Sequence, residues 1–437
     1  MAVRFRIARP VVRAASLTML LSLPPLSSSA PLPDVVRQVL ESHPDVVSAA
    51  ALVDAADARI RQSRSAYLPA VGLSYENSRS TEEISGASID RDVDRLDATL
   101  RWNLFRGFAD RHAVASASAR KAASAAELDA AREALTLRVV EVYLDVLRNE
   151  SLVAVSAAQI ESLEALVARV TTRAEMGRIS RVNVHQANTR LVQARNRHFQ
   201  LRAALEGARL RFREITGLAP EALALPELDE TIADQPVASL YRRAIEGNPR
   251  VVAARDAARS READIGVARG ELLPTVDLEL RKRLSSDVAP ESSIDIDSSV
   301  RVTVNYAFEL GGGSLGRKAE AVSLKVSADA RLASLEREIR ADLAAVSRQL
   351  VEDRNIAPNL EENVDAAKAV VEAYHRQFDA GKRTLLDLLI AHADLYEAEA
   401  AVLENRFRRA AMVARIHFQM GQLRRVLLAG EEAATDT

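Results

Sequence analysis

Leu96-Asp97-Ala98-Thr99-Leu100-Arg101-Trp102-Asn103-Leu104 switches between apolar and polar at every position, in a chain otherwise dominated by helical periods. Strict alternation over such a length predicts a β-strand with one apolar and one polar face. The pattern returns at Val300, Val302, Val304, Tyr306 and Phe308, interleaved with Arg301, Thr303, Asn305 and Glu309. Each strand has a weaker partner upstream: Val71, Leu73 and Tyr75 for the first, and Val276, Leu278 and Leu280 alternating with Asp277, Glu279 and Arg281 for the second. The connecting stretches 81–92 and 285–297 are polar and mostly acidic. Segments of about ten residues with one apolar and one charged side suit a transmembrane β-barrel, lipid outside and water inside. Four strands are too few to close, and a bilayer tolerates no open sheet edge, so the pattern demands more than one copy of the chain. A soluble two-faced sheet is the alternative; the charged face and the N-terminal signal described below argue against it. Trp102, Phe105, Tyr306 and Phe308 gather at the helix-facing strand ends, where an aromatic girdle would meet the membrane surface.

The strand pairs belong to a duplicated unit. His43-Pro44-Asp45-Val46-Val47 returns as Asn248-Pro249-Arg250-Val251-Val252, and Leu68-Pro69 as Leu273-Pro274, each proline stepping by 205. Gly177-Arg178-Ile179-Ser180 matches Gly381-Lys382-Arg383-Thr384, and Thr216-Gly217 matches Met420-Gly421, each glycine stepping by 204. A period this long is no solenoid repeat, so each half is a large piece of architecture. The expected layout is a signal peptide over 1–30, a first repeat over 31–217, an equatorial linker over 218–236, a second repeat over 237–422 and a polar tail over 423–437. Within the first repeat we expect a helix, strands over 70–80 and 95–105, a long helix over 107–176 and a shorter one over 181–216. The second repeats the order: a helix, strands over 274–284 and 298–309, a long helix over 312–380 and a shorter one over 384–422.

Both long helices carry heptad seams. Leu135, Val139, Val142, Val146, Val153, Ile160, Leu163, Val167 and Val170 fall on alternating three- and four-residue steps, Asn149 and Ser156 filling the gaps. The second seam runs from Ile339 to Tyr374, where Pro358 predicts a kink or break. A helix of this length spans about 100 Å. The shorter segments 182–215 and 237–270 together nearly equal it, as do 34–66 and 384–422, so each pair laid end to end would run beside a long helix. Heptads alone would suit a fibrous scaffold; the amphipathic strands overturn that reading.

Arg4, Arg6, Arg9 and Arg13, then the apolar run Leu17 to Leu23, then Ser28-Ser29-Ala30, have the order of a secretory signal peptide. Pro31 directly after Ala30 would hinder cleavage there. No later segment is judged apolar enough for a transmembrane helix. Basic and acidic residues number 59 and 61, which gives no pull toward nucleic acid. Aromatics make up only 4% of a chain without cysteine, favouring close helix packing and excluding disulfides, thiolate metal sites and a cysteine nucleophile.

Taken together, the two His/Asn-Pro openings, the two Leu-Pro strand entries, Asn103-Leu104-Phe105-Arg106-Gly107 and the turns at Gly177 and Gly381 resemble the TolC family of outer-membrane channel-tunnels. The likeness covers essentially the whole mature chain. Gln377-Phe378-Asp379-Ala380-Gly381-Lys382-Arg383-Thr384-Leu385-Leu386-Asp387-Leu388-Leu389 is most similar to the branch serving type I secretion, including export of large adhesins. The resemblance implies a homotrimer with a twelve-stranded barrel in outer-membrane lipid and a twelve-helix periplasmic tunnel. It further implies an inner-membrane ABC exporter or efflux pump and a periplasmic adaptor (membrane fusion protein), met at the tip turns Gly177, Arg178, Ile179, Ser180, Gly381, Lys382 and Thr384. Family members ring the aperture with aspartates after the second turn; Asp387 falls on the first such position, Ile390 on the second. Asn183 stands where others often have aspartate. One acidic ring instead of two implies a weaker cation filter, and Arg383 is implied in bonds that hold the entrance shut. The bland reading of Asp387 is a solvated helix residue.

No enzymatic chemistry is expected, and no cofactor or metal. Gly311-Gly312-Gly313-Ser314-Leu315-Gly316-Arg317 imitates a phosphate loop but lacks the Lys-Ser/Thr that follows the last glycine of a Walker motif. Neither a His-Glu-x-x-His pair nor a Gly-x-Ser-x-Gly elbow occurs. The leading expectation is therefore a passive exit duct for protein secretion. Multidrug or small-molecule efflux competes with it, and a periplasmic coiled-coil adaptor or scaffold is the alternative of another class.

Overall fold

The computed structural model describes residues 31–84, 87–226, 228–287, 298–307 and 309–434; the expected signal peptide, Phe308 and most of the 285–297 connection lie outside the described residues. In chain order come α1 (Leu32–Ser42), α2 (Pro44–Ser65), β1 (Ala70–Ile84), β2 (Ala87–Arg106), α3 (Ala109–Glu175) and α4 (Arg181–Thr216). A short 3-10 turn, Glu230–Asp234, precedes α5 (Val237–Gly247), α6 (Pro249–Gly270), β3 (Thr275–Asp287), β4 (Ser298–Asn305), α7 (Gly313–Asp379), α8 (Leu385–Gln419) and α9 (Leu423–Ala434).

The repeated His/Asn-Pro pairs are helix starts. His43 Nδ1 accepts from the Asp45 N–H at 3.2 Å and Asn248 Oδ1 from the Arg250 N–H at 2.8 Å, while proline takes the first helical position, where it needs no N–H partner. These caps divide each segment expected to be one helix into two, α1 with α2 and α5 with α6. Both long helices have 67 residues, about 100 Å at the standard rise. Helix α7 runs on through Pro358, so of the expected kink or break it is the break that does not occur. One turn before Pro358, Asn405 of α8 donates to the Asp353 carbonyl at 2.9 Å, and Arg408 binds the buried Asp353 carboxylate at 2.6 Å.

The expected end-to-end pairing also needs correction. Helices α6 and α8 each touch both α3 and α7, and they abut: Asn248 Nδ2 donates to the Gln419 carbonyl at 2.8 Å. A side chain on Gly421 would sit 2.5 Å from the Gly247 carbonyl, so bare backbone is what lets the two helix ends meet. Helices α2 and α4 both lie on α3. The stacks are thus α8 with α6, and α4 with α2 along α3; repeat-internal contacts, not summed lengths, decide the partners.

An equatorial belt holds most of the core. Val35, Val36 and Val39 of α1 pack with Leu135 to Val146 of α3, Phe212 of α4 and Phe407 of α8; Tyr143, fully buried, donates its hydroxyl to the Ala224 carbonyl at 2.9 Å. A second cluster joins Leu240 and Val251 to Ile339, Leu343, Leu350 and Met420. Residues 423–437, expected as a polar tail, contain α9, whose Leu423 and Leu427 enter the belt core. Their four-residue spacing puts both on one helical face. Helix α3 also contains an 18-residue window of mean hydropathy 1.4, long and apolar enough by composition to cross a membrane, which corrects the expectation that none follows the N-terminus. Only 22% of that window is buried, on the side where neighbouring helices pack.

The strands form one antiparallel sheet in the order β1-β2-β3-β4. Register lines up Val71, Leu100, Leu280 and Val300 across one face, and Gly72, Thr99, Arg281 and Ser299 across the other. The apolar face is bare, with Val71 75%, Val300 74% and Val304 66% exposed. On the polar face Arg281 binds Asp97 at 2.7 Å and Asn103 binds Asp277 at 2.7 Å. Bulges at Leu96/Asp97 and Asn103/Phe105 add local twist. Three limits differ from expectation, one being that β3 runs on to Asp287 instead of ending at 284. The first hairpin pairs on through Ile84↔Ala87, because ladder bonds continue where no apolar face is needed, and β4 stops at Asn305, leaving Tyr306 beyond it.

Candidate functional site

Two helical hairpins, α3–α4 and α7–α8, end in matching turns. Gly177 (φ +69°) and Gly381 (φ +71°) are left-handed, and Arg178 N–H reaches the Arg173 carbonyl at 2.9 Å as Lys382 N–H reaches that of Gln377 at 2.8 Å. A side chain would meet nothing at either glycine, so backbone conformation alone calls for them. The hairpins share a core of Leu163, Leu166, Val170, Ala187, Leu191, Phe378, Leu385 and Leu388, with Ile179 packed against it. Arg178, Ser180, Lys382 and Thr384 are exposed around it.

The restart after each turn differs. Ser180 Oγ accepts from the Val182 N–H at 3.2 Å, an ordinary cap. Thr384 and Asp387 make a reciprocal box: the Asp387 N–H donates to Thr384 Oγ1 at 3.3 Å, and Asp387 Oδ2 accepts from the Thr384 hydroxyl at 2.9 Å and N–H at 3.3 Å. Asp387 therefore has a structural duty that its placement as an aperture residue did not include, although Thr-x-x-Asp was there to be read. The Thr384 hydroxyl hydrogen bond, helped by Arg383, holds its carboxyl below the usual aspartate range against a smaller opposing effect of desolvation. It remains partly exposed, and Ile390, one turn on, is 46% exposed. Asn183 sits partly buried in the first turn of α4.

Arg383 stays within its own hairpin. It donates to Gln377 Oε1 at 3.0 Å, lies 4.4 Å over the Tyr374 ring and approaches Asp387 at 3.7 Å. The bond between hairpins comes from Arg173, which sequence reasoning passed over. From the last turn of α3 it donates to the Phe378 carbonyl at 2.9 Å and to Asp379 Oδ1 at 2.8 Å, with its guanidinium 5.0 Å above the Phe378 ring. A cation there satisfies the orphan carbonyls at the end of α7. No motif marks such a contact, because its partners are 205 and 206 positions away.

At the other end of the helices, Trp102 Nε1 donates to the Tyr67 carbonyl at 2.9 Å, and Phe105 meets Phe108 edge-on at 5.1 Å. Tyr306 is 54% exposed just past β4. Phe108, unforeseen from the sequence, adds an exposed ring where β2 passes into α3. Trp102 and Phe105 thus lie at the helix-facing end of β2, and Tyr306 just beyond the end of β4.

Over residues 35–218 and 240–422, the two halves of the repeat, the chain matches the family described as outer membrane efflux protein. It is 26% identical over 403 residues to outer membrane protein TolC of Vibrio cholerae, covering 90% of this chain and 91% of the relative. It is 23% identical over 382 residues to alkaline protease secretion protein AprF of Pseudomonas aeruginosa, covering 82% and 78%. Among solved structures, the outer membrane protein VceC from Vibrio cholerae shares the fold with a TM-score of 0.79 at 17% identity, over 89% of this chain and 96% of that one.

Proposed function

Given that this chain belongs to the outer membrane efflux protein family, an outer-membrane transport duct and no enzyme, we propose that it is the exit duct of a type I secretion system. Three copies would close a twelve-stranded barrel, and the hairpins of all three would surround a periplasmic tunnel. The observation that carries the duct is the four-stranded sheet: both its edges are open and its apolar face is bare, yet it is joined to helices about 100 Å long. Such a face needs lipid, and such edges need neighbouring copies. Protein cargo is supported by the likeness to AprF, whose name assigns it to secretion of an alkaline protease, and by the string Gln377 to Leu389. Small-molecule efflux is the second reading, favoured by the family description itself.

In the secretion reading an inner-membrane ABC exporter supplies the energy and a periplasmic adaptor docks on the turns at Gly177 and Gly381. Asp387 contributes one acidic ring at the aperture, and Trp102, Phe105 and Tyr306 mark the membrane surface. Electron microscopy of the detergent-solubilised protein tests the duct: a three-fold rod with a helical part near 100 Å is expected. A particle soluble without detergent would favour the adaptor or scaffold instead. Deleting the gene distinguishes cargo. Loss of a secreted protein from the medium with unchanged drug tolerance supports secretion, and the reverse result supports efflux.

A further inference from the structure

The bare apolar face of the sheet carries one charge. Lys282 of β3 shares that face with Leu278 and Leu280, and register sets it in a row with Leu73, Ala98 and Ser298. From the row of Trp102 to the row of Tyr75, no other described residue on this face is charged. Lys282 is exposed, and among the described residues it has no acidic partner: Ala98 and Ser298 stand on either side of it. A cation on the lipid face of a barrel is destabilising except near an interface. Nothing in the transport reading uses this one.

Beside it the face is hollowed. Ala98 and Ser298 are small where Leu100, Leu280 and Val300 of the next row are large, and a groove of about 310 Å³ runs over them to Lys282. Arg281 also borders the groove, but its guanidinium is on the polar face, bound to Asp97 at 2.7 Å. The depth is set by the strand. Lys282 is seven residues beyond Thr275, the helix-facing end of β3. At about 3.4 Å per residue and a tilt of about 40°, that is roughly 18 Å into an apolar band about 25 Å tall. A lysine stem covers much of the remainder by snorkelling. The face itself turns polar at Asn77 and Asp94, one row beyond Tyr75 and Leu96. Since the helices occupy the periplasmic side, the surface within reach of Lys282 is the outer leaflet.

We propose that Lys282 and the groove over Ala98 bind a net-anionic, phosphorylated lipid of the outer leaflet, its acyl chain in the groove and its phosphate on the ammonium. The inference rests on the barrel reading above. An ammonium is a compact point charge suited to phosphate, and the Ser298 hydroxyl beside it can donate as well. Free phosphate leaves the groove unfilled and would give up its hydration for a single cation, so the occupant is a lipid. A zwitterionic headgroup brings its own ammonium to the phosphate and gains less from Lys282.

Native mass spectrometry of the detergent-solubilised oligomer, titrated with bisphosphorylated lipid A, with its dephosphorylated form or with inorganic phosphate, tests the site. Wild type should bind the phosphorylated lipid at least fivefold more tightly than the dephosphorylated one. Lys282→Gln should abolish that preference without changing affinity for the dephosphorylated lipid, and Lys282→Arg should retain it. Ala98→Leu, which fills the groove, should weaken both lipids. The same preference in wild type and Lys282→Gln, or Lys282-dependent binding of inorganic phosphate alone, would overturn the proposal and leave the barrel standing. A monomer soluble without detergent that takes up neither lipid would overturn the barrel reading and this proposal with it.

Discussion

The two long helices descend from one duplicated unit and have equal length, yet their surroundings are opposite. Helix α3 is packed by α2, α4, α6 and α8, and it buries Ala109, Ser116, Ala117, Ala123, Ala126 and Glu133 before reaching the belt. Helix α7 packs mainly on α6 and α8 and buries nothing before Ile339. Its upper part instead exposes Leu315 at 62% and Val326 at 61%. We expect a neighbouring copy to cover this bare apolar flank, as α2 covers the equivalent part of α3, in a head-to-tail contact of the kind that generates a ring.

The largest expected effect would break that asymmetry outright. Val326→Asp should leave helical circular dichroism unchanged while abolishing the oligomer on size exclusion in detergent; an intact oligomer would mean that this flank faces the lumen. Next come the belt positions, where α3 and α7 are alike. Leu343→Ala should destabilise the protein by ~2–5 kcal/mol, and its repeat-mate Val139→Ala should also lower the thermal midpoint; an unchanged midpoint for either would deny the shared core. Below the belt α7 depends on α8, where His392 is buried neutral with its pKa lowered to about 4 from 6.5. Because the unfolded chain takes up that proton first, its contribution is complete above pH 6.5 and is lost as pH falls toward 4. The loss is on the order of 3 kcal/mol, and His392→Gln should flatten the slope of stability against pH over that window. The smallest effect concerns the tips. Asp387→Asn should reduce cation preference in single-channel recordings by no more than roughly twofold, since a wet pore is screened by salt. Unchanged selectivity would leave Asp387 as a helix cap only.

Much of this architecture was legible because its signals are periodic. The heptad seams named Leu135, Val139, Leu343 and Leu350, and all four are buried. The alternation at Leu96 to Leu104 located a strand whose polar Asp97 does turn away from the bare face, into a contact with Arg281. Features without a period were lost. The hairpin beyond Ser80 is polar on both sides, so no alternation of hydrophobicity distinguishes strand from loop there. Pro358 suggested a kink or break, and the helix runs on through it. Helix α9 was missed for a different reason: it is short, and its apolar residues Leu423, Val426, Leu427 and Leu428 sit between the charged pairs Arg424-Arg425 and Glu431-Glu432, which drew the reading toward a polar tail. At the tip the glycine turns could be placed from sequence, but the Arg173 contact and the His375–His392 pair depend on which helix lies beside which. The Arg173 contact requires the two hairpins to lie side by side, which no local pattern states, and the histidine pair requires the rotational setting of α7 against α8.

The duplication also sets how finely such a ring can evolve. Had the unit remained single, a six-membered ring would register every substitution six times, and a change of one charge at the aperture would be a change of six. Fusing two units into one chain halves that multiplicity and lets one turn drift from its twin. The acid at Asp387 opposite the amide at Asn183 is such a drift, a difference that strict sixfold symmetry forbids.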